Sequence, residues 1–424
     1  MATDRNDREL ITRRALGSVI ESLGAFRVVV LHGARQVGKT TLARLAAADI
    51  GASFVTFDRA EDREAAERDP RTFVTAATNP MVIDEVQRVG EPVVLAIKES
   101  VDADNRPGRY LLTGSTNFLT VPSIAETLAG RVDIVQLWPL SMGELRGGSD
   151  DFIDRAFASP QDLVHHASPV LDRTEYMELL CSGGYPEPQR LAQRTRRRWF
   201  SQYVQTVLQR EIEMAADIRR VDALQNMVRY FAATTAQELV QSTMAERLNI
   251  DRATVQHYEP WLEAVFLVHR VPAWSRNLTA KVVKRPKLYL VDTGVATALL
   301  GKDPAALGSS TEPSVGPLFE TFIANELAKQ LTWAQTSARL FHFRDAGGAE
   351  VDLIVESDDG RVLAIEVKAS STPRSEDFKG AALVRDRLDR SGGEFVAGIV
   401  IHTGDRRRSF GDRLLALPAS DIWT

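Results

Sequence analysis

Gly33-Ala34-Arg35-Gln36-Val37-Gly38-Lys39-Thr40 sets two glycines, a lysine and a hydroxyl residue at the spacing G-x-x-x-x-G-K-[ST]. These residue types suit a phosphate chain. Glycines let backbone N–H groups curl round phosphate oxygens, and a helix N-terminus behind them adds positive potential. Lys39 would reach the β- and γ-phosphates, and the Thr40 hydroxyl would bind Mg²⁺. Gly33 to Thr41 is therefore the expected nucleotide cradle, with ATP and Mg²⁺ as cofactors. A second signal is Met81-Val82-Ile83-Asp84-Glu85, an apolar run ending in two carboxylates. Asp84 suits the Mg²⁺ shell, and Glu85 suits a general base that polarises water. The plainer alternative is a strand followed by a solvated acidic turn.

Other residues add weaker signals. Arg109 to Ser115 reads as a strand ending in small polar residues, with Asn117 just beyond. Ser115 or Asn117 could sense a γ-phosphate, or simply make a strand-to-loop turn. Arg131 follows Leu128-Ala129-Gly130. It could be an arginine finger acting in a neighbouring subunit, or a surface arginine beyond a glycine cap.

The C-terminal part carries a separate constellation. Glu350 to Glu356 and Arg361 to Lys368 alternate like two hairpin strands. The turn between them, Asp358-Asp359-Gly360, has a glycine suited to a left-handed position. With a three-residue loop, Asp352 opposes Glu366 and Glu350 opposes Lys368, and opposed residues share a face. Asp352 and Glu366 would hold Mg²⁺, and Lys368 would position or activate water. The alternative is a charged sheet face with cross-strand ion pairs.

These residues need elements to position them. Residues 26–31 read as a buried strand and 41–48 as a helix on either side of the glycine loop. Residues 7–24 have helical spacing, 53–58 alternate like a strand, and 60–78 look helical with a break at Pro70. Residues 147–170 read as a connecting loop. Its His165-His166 pair lacks a third ligand and points two ways on a helix, which argues against a metal. Cys181 to Pro188 is a sharp turn into a long helix carrying Arg194, Arg196, Arg197, Arg198 and Arg210. These arginines suit a solvated or interdomain face, or a phosphate-binding surface.

Residues 223–295 read as a winged helix-turn-helix, with Asp251 as an N-cap and residues 252–265 as the recognition-type helix. Between His269 and Lys287 there is no acidic residue, while Arg270, Arg276, Lys281, Lys284, Arg285 and Lys287 occur. That is a footprint for nucleic acid, although such modules also serve as protein–protein spacers. Residues 301–316 read as a linker.

Composition bounds the rest. The 424 residues call for two to four domains, and 44% hydrophobic content excludes wholesale disorder. A net charge of −5 excludes a polybasic binder, so any nucleic-acid contact must be local. The single cysteine, Cys181, excludes a disulfide framework and suits the cytoplasm. The charged start lacks a signal-peptide core, and no apolar run reaches the ~18 residues of a membrane span.

Taken together, Gly33 to Thr40, Ile83 to Gln87, Leu112 to Ser115, Leu128 to Arg131, Gly183 to Pro188 and the helix through Trp199 and Arg210 resemble a prokaryotic AAA-type ATPase family with a C-terminal domain of unknown function. Glu350-Val351-Asp352 and Ile365-Glu366-Val367-Lys368, with Glu320, resemble the PD-(D/E)XK nuclease core. The resemblance implies an α/β chain: ATPase core at 1–145, helical lid or linker at 146–222, winged helix at 223–300 and restriction-endonuclease-like domain at 301–424. It implies ATP hydrolysis coupled to nucleic-acid handling, DNA first, with Mg²⁺-dependent phosphodiester cleavage. The alternative is an ATP-switched scaffold or DNA-binding regulator that does not cleave. Self-association and a protein partner for the C-terminal domain are also expected.

Overall fold

The computed structural model describes residues 10–76, 80–114, 128–167, 169–214, 221–275, 285–345 and 347–424. Ser115 and Asn117 lie outside the described residues, as do Arg276, Lys281 and Lys284.

The P-loop unit is built on a parallel sheet. Strands β1 (Val28–Gly33), β2 (Ser53–Thr56), β3 (Met81–Asp84), β4 (Tyr110–Thr113) and β5 (Val132–Leu137) lie in the order β2-β3-β4-β1-β5. Side chains alternate between faces, and a parallel sheet is covered on both. Val28 and Val30 therefore join one apolar cluster, while Val29 and Leu31 join another. Strand order reverses at β1, and the crevice at such a switch point opens at the carboxyl ends of the strands. The glycine loop leaves β1 at that end. Gly33 is required there by close approach, because a Cβ would lie 2.2 Å from the Leu137 carbonyl oxygen.

Residues 60–76 form two helices, Ala60–Arg68 and Pro70–Ala76, with Pro70 opening the second rather than merely ending the first. The first helix is Ala15–Ala25, shorter than the spacing over 7–24 predicts.

The middle of the chain runs helix, strand, helix, helix, strand, strand. These are Val221–Ala233, β6 (Gln237–Glu238), Gln241–Leu248, Arg252–Ala264, β7 (Val268–Val271) and β8 (Lys287–Leu290). The strands pair antiparallel in the order β6-β8-β7. Asp251 stands at the expected N-cap position, but its side chain makes no capping hydrogen bond.

The C-terminal sheet comprises β9 (Ala338–Arg344), β10 (Glu350–Ser357), β11 (Arg361–Lys368), β12 (Glu394–His402), β13 (Arg408–Ser409) and β14 (Leu414–Pro418), in the order β13-β14-β12-β11-β10-β9. The β10–β11 turn has the three-residue register read from the sequence. Leu353 opposes Ile365, Glu356 opposes Val362, and Gly360 adopts φ +88°.

The 301–316 stretch is not a plain linker. Pro304–Gly308 is a short helix, and Leu307 is fully buried. The next helix, Val315–Gln330, is buried almost all round. It ties the parts together. Glu326 accepts from the Met142 N–H at 2.8 Å, Lys329 donates to the Leu140 carbonyl at 2.9 Å, and Asn325 donates to the Leu290 carbonyl at 3.0 Å. One apolar cluster runs from Leu31 through Phe231, Leu262 and Phe319 to Ile399. Among the described residues, no helix is long and apolar enough to cross a membrane.

Candidate functional site: a phosphate-binding loop and a lysine-filled acidic cluster

The glycine loop is folded for anions. Gly38 has φ +98° and Gln36 φ +61°, the left-handed conformations that turn N–H groups inward. The Lys39–Ile50 helix starts directly behind it. The Lys39 ammonium sits over the loop, donating to the Gly33 carbonyl at 2.9 Å and the Ala34 carbonyl at 2.8 Å. The loop is braced from outside. Arg13 donates to the Val37 carbonyl at 2.7 Å and the Trp138 carbonyl at 2.7 Å, and pairs with Glu144 at 3.1 Å.

Asp84 is held by three hydroxyls. Thr40 donates at 3.0 Å, Thr56 at 3.1 Å, and Thr113 at the end of β4 at 2.5 Å. Glu85 takes φ +58°, which turns its side chain off the strand, and its N–H donates to Thr113 at 3.2 Å. Gln87 donates to one Glu85 carboxylate oxygen at 2.5 Å. Lys39, Thr40 and Glu85 line a cavity of about 750 Å³, walled on the far side by Trp199, Gln202 and Tyr203. Tyr203 donates to the Arg35 carbonyl at 3.3 Å, accepts from Tyr185 at 2.9 Å and stacks on Trp199. The donor set fits a nucleotide with Mg²⁺: ammonium and loop N–H groups for phosphates, Thr40 beside Asp84 for the ion. Burial and Lys39 push His32, on β1, down to about 4, so it stays neutral beneath the loop.

Arg131 lies at the start of β5, where its carbonyl accepts from the Val28 N–H, so it is at the opposite sheet end from its own P-loop. Its guanidinium pairs with Asp102 at 2.5 Å.

The C-terminal carboxylates meet lysines. The Lys287 Nζ, from β8, lies 2.9 Å from Glu320, 3.0 Å from Glu350 and 3.6 Å from Asp352. Tyr289 donates to Glu320 at 2.7 Å. Asp352 sits where the β9–β10 register shifts and accepts from the Val367 N–H at 2.9 Å. Glu366 bonds Lys368 at 2.6 Å. Burial, with Asp352 beside each of them, pushes the Glu320 and Glu366 carboxyls above the usual carboxylate range. Lys287 is itself raised by its three carboxylates against the opposing effect of burial, so it stays an ammonium. Among the described residues, no three acidic, histidine or cysteine side chains are grouped to hold a metal ion. Lys287 thus sits among Glu320, Glu350 and Asp352, while Glu366 pairs with Lys368. In this arrangement the Lys287 ammonium takes the place beside Glu320 and Asp352 that a divalent cation would need.

The basic footprint is also smaller than its count. Lys287 is spent on the acidic cluster. Arg270 pairs with Glu259 at 2.6 Å and Glu263 at 2.9 Å. Arg285 is exposed.

The sequence reading gave no role to Arg13, Thr56, Thr113, Gln87 and Tyr203 around the nucleotide cavity, or to Lys287 and Tyr289 at the acidic cluster, although it put Glu350 on the shared sheet face. Thr56 and Thr113 end strands beside Asp84, a position that could have flagged them. Arg13 and Tyr203 arrive from distant segments and carry no local signal.

Residues 25–146 match the AAA domain family. Residues 173–306 and 315–422 match two domains of unknown function, DUF8612 and DUF4143. An uncharacterized protein of Mycobacterium tuberculosis is 29% identical over 436 residues, spanning 100% of this chain and 86% of the relative. One of Haemophilus influenzae is 22% identical over 238 residues, 54% of this chain and 55% of that protein. The Walker-type ATPase of Pyrococcus abyssi aligns with a TM-score of 0.42 and 15% identity, over 69% of this chain and 97% of that one. The Thermotoga maritima RuvB Holliday junction branch migration motor gives a TM-score of 0.29 and 19% identity, over 62% and 90%. The family match over 25–146, together with the P-loop and the Asp84–Glu85 pair on their parallel sheet, makes this segment an AAA-type P-loop ATPase domain.

Proposed function

We propose that the protein hydrolyses ATP at the Lys39–Thr40–Asp84–Glu85 site and uses the cycle to regulate a partner-binding body made by the rest of the chain. The observation that carries the reading is the hydroxyl network on Asp84 under a cavity that Lys39 and Glu85 both line. Bound Mg²⁺–ATP would supply a phosphoanhydride and a charge that polarises it. Lys39 exchanges its two backbone carbonyls for phosphate oxygens. Thr40 and Asp84, joined at 3.0 Å, would hold the ion. Glu85 takes the water proton on the carboxylate oxygen that Gln87 leaves open. Trp199 and Tyr203 close the far wall against bulk water. Ser115 and Asn117 remain candidates for sensing the γ-phosphate. Arg131 would act across a subunit interface, for which its Asp102 pair must open.

The middle segment is read as a winged helix, on its order of elements and three-stranded sheet. Its exposed Arg285 and the basic residues 276, 281 and 284 make nucleic acid, DNA first, its proposed partner. For the C-terminal domain the favoured reading is a nuclease-like body that binds without cleaving while Lys287 fills its acidic cluster. A second reading, Mg²⁺-dependent cleavage, is favoured by two observations. The β10–β11 register and the Glu366–Lys368 contact keep the sequence pattern intact.

The test is direct. Lys39→Ala should lose tight ATP binding, and Glu85→Gln should keep binding but turn over about 10²–10⁴-fold more slowly. Parental turnover in Glu85→Gln would remove Glu85 as base. Purified protein is also incubated with single- and double-stranded DNA and RNA, with Mg²⁺ or Mn²⁺, with and without ATP. Cleavage abolished by Asp352→Asn would replace the binding reading with the nuclease one.

A further inference from the structure

A second cavity lies on the other side of the Gln193–Met214 helix. It measures about 590 Å³ and is lined by Arg194, Arg196, Arg197, Arg198 and Lys302 over an apolar floor that includes Phe200. Arg194, Arg197 and Arg198 stand at i, i+3 and i+4 on one helix face, where like charges repel. Two of the five cations are satisfied internally. Arg196 donates to the Pro188 carbonyl at 3.0 Å and to Ser182 at 2.7 Å, and Lys302 pairs with Glu312 at 2.6 Å. Arg194, Arg197 and Arg198 form no ion pair with the described residues. The one carboxylate in the lining, Asp303, is turned to its own helix and accepts from the Ala306 N–H at 2.8 Å. The chain has 57 acidic and 52 basic residues, so three neighbouring arginines without carboxylates are not a consequence of composition.

We propose that this cavity binds a phosphate-bearing ligand, at a site separate from the P-loop. Guanidinium forks take phosphate oxygens in pairs, and the apolar floor beside Phe200 takes a sugar or base. The ligand is a free nucleotide or the backbone of a nucleic-acid strand. The two share the chemistry and differ in the test. The helix carrying these arginines also presents Trp199, Gln202 and Tyr203 to the nucleotide cavity, so it is a common wall of both sites. The proposal does not depend on ATP hydrolysis, and its test is run with the P-loop disabled.

The full chain carrying Lys39→Ala is titrated with ATP and pyrophosphate by calorimetry, and with a fluorescent single-stranded DNA oligonucleotide by anisotropy at several salt concentrations. Adding Arg197→Gln and Arg198→Gln should weaken binding of the accepted ligand by about tenfold or more. For a strand, the salt slope should also fall by about 1.4, roughly 0.7 for each arginine removed. Binding of ATP or pyrophosphate alone assigns a free nucleotide, and binding of the strand alone assigns nucleic acid. A control pair, Arg71→Gln with Arg374→Gln, removes equal charge elsewhere on the exposed surface. Equal weakening in the control, or no binding of any probe to the Lys39→Ala protein, overturns the proposal. If the double variant does not fold, Arg194→Gln at the exposed rim carries the same expectation at about half the salt slope change.

Discussion

Lys287 and Glu320 are joined at 2.9 Å, a contact that places an ammonium of β8 among carboxylates of the C-terminal domain. Lys287 is almost fully buried. Breaking a buried pair by removing one partner leaves the other charge uncompensated, which costs about 3–5 kcal/mol. Lys287→Met should therefore lower the melting temperature clearly. It should also create affinity for a divalent cation, so millimolar Mg²⁺ or Mn²⁺ should recover much of the loss. Calorimetric melting with and without the cation reads both effects. A variant as stable as the parent, or one indifferent to cations, would show that Lys287 does not stand in the place of a metal.

Thr113 bonds Asp84 and receives the Glu85 N–H, so one hydroxyl positions both acidic residues. Thr113→Val keeps the shape and removes the bonds. We expect kcat to fall about 10²-fold, as for a misplacement near 1 Å, with ATP affinity changed little. If kcat holds and only KM moves, the hydroxyl aids binding rather than positioning.

Arg131 offers a test of assembly. Arg131→Ala should reduce turnover about 10³-fold without removing ATP binding if it acts as a finger. ATP should promote self-association. Mixing Arg131→Ala with Glu85→Gln protein should restore activity at mixed interfaces. Absence of recovery in an oligomer shown to be mixed would count against Arg131, and Arg210 becomes the next candidate.

Asp150 supplies a pH dependence. Burial, with Glu326 and Glu144 nearby, raises its carboxyl to about 7 from an ordinary 3.8. The folded state therefore holds this proton more tightly than the unfolded chain. Its stabilising contribution is complete below about pH 3.8 and is lost as pH rises through about 7. Relative to Asp150→Asn, the parent should lose stability across that window. Urea unfolding at pH 5, 6, 7 and 8 measures the difference, and parallel curves would refute the assignment.

The nucleotide site was legible because its chemistry is local. Gly33 to Thr40 and Asp84-Glu85 are contiguous stretches, and strand ends deliver them to one crevice. The β10–β11 register was legible for the same reason, since a three-residue turn fixes parity. Long-range contacts were not. Arg13 reaches the Val37 carbonyl from another segment, and Lys287 reaches Glu320 across a boundary between modules. Arg270, counted in the basic run between His269 and Lys287, is neutralised by Glu259 and Glu263 from the preceding helix, which a local charge count cannot register.

The Val315–Gln330 helix, buried on nearly every side, bears on how the molecule comes apart. Phe319 and Ile323 share an apolar cluster with Leu31 of the P-loop strand and Ile399 of the C-terminal sheet. Pulling the last third of the chain away would hydrate that seam and take Glu326 and Lys329 from the Met142 N–H and the Leu140 carbonyl they hold. Heating should thus give a single heat-capacity peak rather than one per module, and a ligand gripping the P-loop should move the whole peak. Proteases would cut the folded chain into modules poorly, and fragments divided at 301 would associate through their exposed faces.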